Sequence, residues 1–160
     1  MSLQTLRHEL DSGHPVTGAY SSDPQNASDQ INALNRTRIV PISSAELLAW
    51  SGQASTGDRP RITKIEEGMQ SQNESVAAIC KVADATINRD STQLDLNLPD
   101  RVAMVDALVV ASILSTDDEA SLYAIATQAI SRADELGMSN VRPGTIEQAR
   151  ALPAANGDDV

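Results

Sequence analysis

The chain has 160 residues, a formal net charge of −10 and 41% hydrophobic residues, with no Phe, one Trp and two Tyr. This length accommodates one modest domain and some tail, but not two full cores. The acidic balance argues against binding to a nucleic-acid backbone or an anionic membrane face, because both attract basic surfaces. A core of Leu, Ile, Val, Met and Ala favours close helix packing, so we predict an all-α fold.

The single cysteine, Cys80, excludes an internal disulfide and a cysteine-rich metal site. The first residues lack the apolar stretch of a signal peptide, and the longest apolar run, interrupted by Asp106, is too short to span a bilayer. We therefore expect a protein of the cytoplasm, or of a particle assembled there.

Short helices and loops fill residues 1–60, and we predict an extended N-terminal arm over this range. Its first helix, Ser2 to Leu10, is amphipathic, with Leu3 and Leu6 on one side. A helix this short is marginal alone, so it needs a surface to dock against.

The next segment of the arm, 11–22, is predicted to be a loop because it is rich in Gly, Pro and Ser. His14 and Tyr20 give this loop more anchoring side chains than a linker usually carries. Asp23–Pro24 is typical of a helix start, and this helix is expected to end near Asn35.

Arg36 and Arg38 form the best exposed polar cluster of the arm. They suit bidentate binding of a partner's carboxylate, or hydrogen bonding to the last carbonyls of the preceding helix, and the sequence favours neither. Ser43 and Glu46 then form a capping box that opens a short helix containing Trp50.

Residues 61–152 are predicted to form the helical body, which begins with one long helix from Arg61 to about Asn88. Its apolar residues recur near heptad spacing, with Cys80 on the apolar side. One interpretation is a side of an intramolecular bundle, and the other is the contact between copies in an oligomer. A short helix capped by Thr145 and a mobile acidic tail over 153–160 are expected to follow.

The centre of the body is predicted to be a helical hairpin. Its first helix, Pro99 to Leu114, is apolar almost all round, and its second, Thr116 to Leu136, shows the spacing of one apolar face. Thr116 with Glu119 reads as a capping box, and Gly137 as the residue that ends the second helix.

Asp106 lies within the most apolar of these helices. A buried carboxylate needs a partner, and Arg132 or Arg142 is the obvious candidate. The acidic residues at 117–119 are explained by the helix dipole at a helix start.

No motif for chemistry stands out, so we expect no enzymatic activity and no cofactor. His8 and His14 lack the further ligands of a metal site, and no nucleophile elbow or phosphate-binding glycine loop occurs.

Three stretches nevertheless resemble small structural proteins of tailed bacteriophages, a poorly characterised family. These are the loop at 13–20, the segment at 34–38, and the C-terminal segments at 132–137 and 141–150, which read GHPVTGAY, LNRTR, RADELG and VRPGTIEQAR. The resemblance implies a non-enzymatic virion component: an adaptor linking neighbouring proteins, most plausibly at the head–tail connector or neck. Other virion proteins are its implied partners, together with copies of itself in a ring or trimer.

Two alternatives stay open: a tail-tip or fibre-attachment protein, and a soluble acidic binding module that inhibits a basic host protein. No direct contact with nucleic acid or membrane is expected. The residues expected to contact partner proteins are Leu3, Leu6, His14, Tyr20, Arg36, Arg38 and Trp50.

Overall fold

The computed structural model of the chain describes residues 2–55, 59–88 and 93–153. Helices predominate among these residues, and the strands present form one small two-stranded sheet, so the predicted helical character is confirmed. The elements in chain order are α1 Leu3–Ser12, α2 Pro24–Asn32, β1 Arg36–Ile39, α3 Ser44–Gly52, α4 Arg61–Gly68, α5 Glu74–Ile87, α6 Pro99–Val110, α7 Thr116–Ala126, β2 Thr127–Ile130, α8 Arg132–Glu135 and α9 Pro143–Ala151.

The chain divides into two compact units, each with its own cluster of buried apolar side chains. Unit 1 combines Met1–Arg38 with Ala129–Val160, and unit 2 is Ile39–Gln128. This division differs from the predicted arm, body and tail, and the structure has two buried clusters where the length of the chain predicts one core. Beyond Pro153, the predicted tail lies outside the described residues.

Unit 1 is built by the two ends of the chain. Helices α1 and α2 pack against α9, and α2 also contacts α8. The first helix of the predicted arm therefore docks within its own chain, because burying its apolar side against α9 offsets the cost of ordering a short helix. The buried apolar residues of unit 1 are Leu6, Tyr20, Ala27, Ile31, Ala133, Val141, Ile146 and Ala149.

Unit 2 contains the helices α3 to α7. A bridge between Ile42 and Leu94 joins two extended segments of this unit, and both residues are buried. A cavity of about 20 Å³ lies in its core and has only apolar lining surface. A cavity of that size holds at most about one water molecule, so it is a packing void and offers no room for a ligand.

Two helix starts are those that the sequence predicts. The Asp23 side chain accepts a hydrogen bond from the Asn26 backbone N–H, and Pro24 is the first residue of α2. The capping box of Ser43 and Glu46 begins α3, with both reciprocal hydrogen bonds present.

The long helix predicted from Arg61 is wrong, because two helices occupy its place. Helix α4 ends at Gly68, and α5 starts after Asn73, whose side chain accepts hydrogen bonds from the backbone N–H groups of Ser75 and Val76. An asparagine that caps a helix start in this way competes with continued helix.

The second helix of the predicted hairpin begins at Thr116 as expected, but it ends ten residues earlier than expected. Ser115 caps α7 and forms its capping box with Asp118, in place of the predicted pair one residue later. Helix α7 ends at Ala126, where the chain becomes the extended strand β2. Gly137, with φ of 72°, does follow a helix, but this helix is the short α8.

The last helix, α9, also starts earlier than predicted. Pro143 is its first residue and Arg142 precedes it without a side-chain capping bond, so Thr145 lies inside the helix rather than at its cap. Proline suits this position because the first turn of a helix does not use its N–H groups.

Candidate interaction site

Four of the seven predicted interaction residues lie in the protein interior. Leu6, His14 and Tyr20 are buried in unit 1, and Trp50 is buried in unit 2. Their burial accounts for these side chains without a partner protein, because each contributes to the packing of its own unit. Of the other three, Leu3 is 37% exposed, while Arg36 is half-buried and Arg38 is exposed.

Buried Glu9 is the centre of a polar network in unit 1. Arg132 donates to both of its carboxylate oxygens, at 2.9 and 2.7 Å, and the Tyr20 hydroxyl donates to Oε1 at 2.9 Å. Burial alone would raise the pKa of Glu9, but these hydrogen bonds lower it below its usual value. Burial and the hydrogen bond to Glu9 raise the pKa of Tyr20. This network links α1, the loop before α2, and α8.

Arg36 and Arg132 both contact Glu135 on α8, at 3.0 and 2.9 Å. Arg36 therefore binds a carboxylate of its own chain, an arrangement that neither alternative from the sequence included. The charge of Arg38 helps to lower the pKa of Asp134, after the hydrogen bonds from Ser131.

His14 organises the loop that follows α1. Its Nδ1 accepts hydrogen bonds from the backbone N–H groups of Val16 and Thr17, at 3.0 and 3.1 Å. The backbones of His14 and Gly18 pair with each other at the base of this loop. Val16 is 57% exposed at its tip, so the buried imidazole supports an exposed apolar residue.

Hydrogen bonds join α2 and the loop before it to the C-terminal part of unit 1. Ser28 and Asn32 of α2 both donate to the Val141 carbonyl oxygen, at 2.7 Å each. Arg150 of α9 donates to the Ser22 carbonyl oxygen at 2.7 Å. Residues more than 100 positions apart thus form one set of contacts.

A second buried ion pair, between Arg61 and Asp118, lies in unit 2. Arg61 Nε is 2.8 Å from Asp118 Oδ1, and its guanidinium lies 4.8 Å from the centre of the Trp50 ring. Burial would raise the pKa of Asp118, but hydrogen bonds from Ser115, Ser55 and Arg61 lower it to about 2. The pair connects α4 with α7.

Ser55 and Lys64 complete this second network. Ser55 Oγ donates to Asp118 at 2.5 Å and lies 2.9 Å from Lys64 Nζ. Serine beside lysine also occurs in nucleophilic catalysis. Here Ser55 donates its hydroxyl proton to Asp118 and is only 5% exposed. The arrangement therefore joins the segment after α3 to α4 and α7 and has a structural role.

The buried carboxylate of the predicted helical body is Asp118 rather than Asp106. Asp106 is exposed, and neither Arg132 nor Arg142 pairs with it among the described residues. The interpretation of a buried Asp106 was wrong because α6 turns only part of its surface to the core: Val105 and Leu108 are its buried residues.

On the opposite side of α6, Ala103 and Val110 are exposed and Ala107 between them is half-buried. We define the α6 outer face as Ala103, Ala107 and Val110, with Asp106 at its edge. Val110 is 86% exposed, the largest exposure among the large hydrophobic residues described. Asp106 lies close enough to Tyr123 of α7 to raise the pKa of that phenol, after the larger effect of burial.

Neither metal coordination nor a membrane span is indicated by the part of the chain that the structure describes. No group of three or more His, Cys, Asp or Glu side chains there is placed to hold a metal ion. No helix within those residues has the length and apolar character needed to cross a bilayer.

Comparison with known proteins gives no relative. No protein-family model, no curated protein and no solved structure matches this chain. The interpretation of function therefore rests on the contacts and surfaces described above and on the motifs in the sequence.

Proposed function

We propose that this protein is a non-enzymatic structural adaptor of a tailed-phage particle, located at the neck between head and tail. The observation that carries the proposal is the location of the three resembling stretches. They come from both ends of the chain, yet all of them belong to unit 1. Stretches that lie far apart in the sequence but within one unit are explained if unit 1 is a module with a single role.

The polar groups of both units support a structural role. The carboxylates of Glu9 and Asp118 are each held by an arginine and by at least one hydroxyl. A catalytic acid or base needs access to a substrate, whereas these two residues are buried.

The exposed apolar residues support a role in binding other proteins. Unit 1 presents Val16 and Leu34, which are 57% and 69% exposed, and unit 2 presents Leu48 and Val110, which are 55% and 86% exposed. An adaptor needs at least two contact regions, and each unit has exposed apolar side chains for one. In this proposal the bundle built on α6 and α7 is the body, and unit 1 replaces the expected extended arm.

Depletion of the protein during infection tests this proposal. We expect cells infected by a phage that lacks the gene to accumulate heads and tails that do not join, as seen by electron microscopy. Supply of the protein from a plasmid should restore joined particles. Normal yields of infectious particles without the protein would contradict the proposal.

A soluble acidic module that inhibits a basic host protein is the second candidate. The observation that favours it is the charge of unit 2, which has 13 acidic and 6 basic residues in the sequence and hence a net charge of −7. A salt-sensitive complex with a basic host protein, formed by a chain absent from particles, would support this candidate instead.

A further inference from the structure

The α6 outer face has the layout of a surface that receives another helix. Ala103, Ala107 and Val110 follow one another at i, i+4 and i+7, so they lie in one row along α6. The row lies opposite Val105, which is buried in the core of unit 2. Two alanines allow close approach of a second helix, and Val110 supplies the projecting side chain that such a contact inserts into its partner.

The acidic side chains beside this row give the face a charge preference. Asp106 is exposed and directly precedes Ala107 of the row, and after the larger effect of burial its charge and that of Glu119 on α7 both raise the pKa of Tyr123. Among the described residues, neither carboxylate has a basic side chain within 4.0 Å, although seven ion pairs occur elsewhere. A partner that brings lysine or arginine to this edge therefore meets carboxylates that no internal ion pair engages.

We propose that the α6 outer face binds a basic amphipathic helix of a partner protein, with apolar residues along the row and Lys or Arg beside Asp106. A second copy of this chain is a poorer occupant, since its own Asp106 would face the same acidic edge. This inference rests on the proposed function only in that the protein acts by binding other proteins.

The test uses the full-length protein and a synthetic helical peptide with leucine on one face and lysine on its flanks. Fluorescence anisotropy measures its affinity at physiological ionic strength, and amide chemical shifts map the contact. We expect saturable binding, shifts concentrated on α6 and the start of α7, and at least tenfold weaker binding when glutamate replaces each lysine of the peptide.

Charge-matched variants separate this face from general attraction to an acidic protein. Asp106→Lys should weaken binding about tenfold, because it replaces attraction with repulsion at the contact. Glu66→Lys, which makes the same change at an exposed position of α4, should alter it less than about twofold.

Apolar variants give the second matched pair. Val110→Ser should weaken binding about fivefold to tenfold, since it removes the projecting apolar side chain. Val82→Ser, on α5 at a residue 49% exposed, should leave the affinity unchanged. Circular dichroism of each variant confirms that its helical content is that of the wild type.

Several results would overturn this proposal: no saturable binding, equal effects of Asp106→Lys and Glu66→Lys, or chemical shifts centred away from α6. A wild-type dimer that Val110→Ser converts to a monomer would also overturn it, because a second copy would then cover the face. Each of these results is separate from the infection experiment, which tests the adaptor role without reference to α6.

Discussion

Replacement of Gly68 by alanine tests the packing of α4 against α5. Gly68 is the buried last residue of α4, and a Cβ atom there would overlap Cys80 Sγ and lie 3.0 Å from Ile113 Cδ1. Cys80 is fully buried in the core of unit 2, and Ile113 packs against that core. Neither neighbour can move without disturbing other core residues, so the added methyl group has no free space.

The expected loss follows from two opposing effects. Overpacking of a core costs about 1–3 kcal/mol, whereas alanine in place of glycine in a helix contributes about 0.5–1 kcal/mol. We therefore expect Gly68→Ala to lower the free energy of unfolding by about 1–2 kcal/mol. Urea unfolding followed by circular dichroism measures this loss as a lower midpoint with an unchanged slope.

Two further variants isolate the cause of that loss. A Cβ on Gly52, at the end of α3, meets no atom within 4 Å, so Gly52→Ala should leave the stability unchanged or raise it by up to about 0.5 kcal/mol. Cys80→Ala removes the sulfur atom that would overlap the new Cβ. The double variant Gly68→Ala/Cys80→Ala should therefore lose less free energy of unfolding than the two single variants lose together, by at least about 0.5 kcal/mol. A stable Gly68→Ala protein, or strict additivity, would refute the packing argument.

Three further predictions concern the buried polar networks. Asp118 has a pKa of about 2 in the folded protein and about 3.9 in the unfolded chain. The ionised carboxylate therefore contributes about 2 kcal/mol to the free energy of unfolding, and this contribution is lost as the pH falls from about 4 to 2. Asp118→Asn removes this component of acid unfolding. Burial lowers the pKa of His14 below its usual 6.5, so the free energy of unfolding falls as the pH drops below that value. His14→Asn abolishes this pH dependence, whereas a protein with His8→Asn, at an exposed position, retains it. Tyr20→Phe, which removes the hydroxyl donor to Glu9, lowers the free energy of unfolding by about 1–2 kcal/mol.

Urea unfolding at a series of pH values measures all three effects. The Asp118 prediction fails if wild type and Asp118→Asn lose stability in parallel between pH 4 and 2. Loss of the pH dependence in His8→Asn would show that the exposed histidine carries it. For Tyr20→Phe, an unchanged unfolding midpoint would mean that the hydroxyl bond to Glu9 has no net effect on stability.

Local signals in the sequence locate two of the helix starts correctly. Asp23–Pro24 and the pair of Ser43 and Glu46 depend on side chains within three residues of the backbone that they cap, so the sequence contains all of the relevant chemistry. The same logic explains the missed break after α4. Asn73 is a good capping residue, and it outweighed the apolar spacing that favoured one long helix.

Long-range pairing is what the sequence does not reveal. Glu9 and Arg132 lie 123 residues apart, and nothing local marks either as the partner of the other. The burial of Asp118 and the exposure of Asp106 depend in the same way on which side of α6 and α7 meets the core. The first segment of unit 1 was therefore interpreted as part of an arm over 1–60, because the helices that it packs against lie at the far end of the chain.

The burial of four of the seven predicted interaction residues was not foreseen for the same reason. His14 and Tyr20 were predicted to contact a partner because they give the loop at 11–22 more anchoring side chains than a linker usually carries. In the structure the polar atoms of these residues and of Trp50 are engaged largely within the chain: Tyr20 binds Glu9, and the Trp50 indole donates to Ser121 at 2.8 Å. Amphipathic side chains of this kind serve cores and interfaces equally, so their identity alone does not distinguish the two.

The adaptor role is tested most directly by measuring how much of this protein purified phage particles contain. Quantitative mass spectrometry of particles of the phage that encodes the chain should find it at a constant copy number relative to the other structural proteins, through repeated purification in high salt. Absence from such particles, with abundant protein free in the extract of infected cells, would contradict the proposed function.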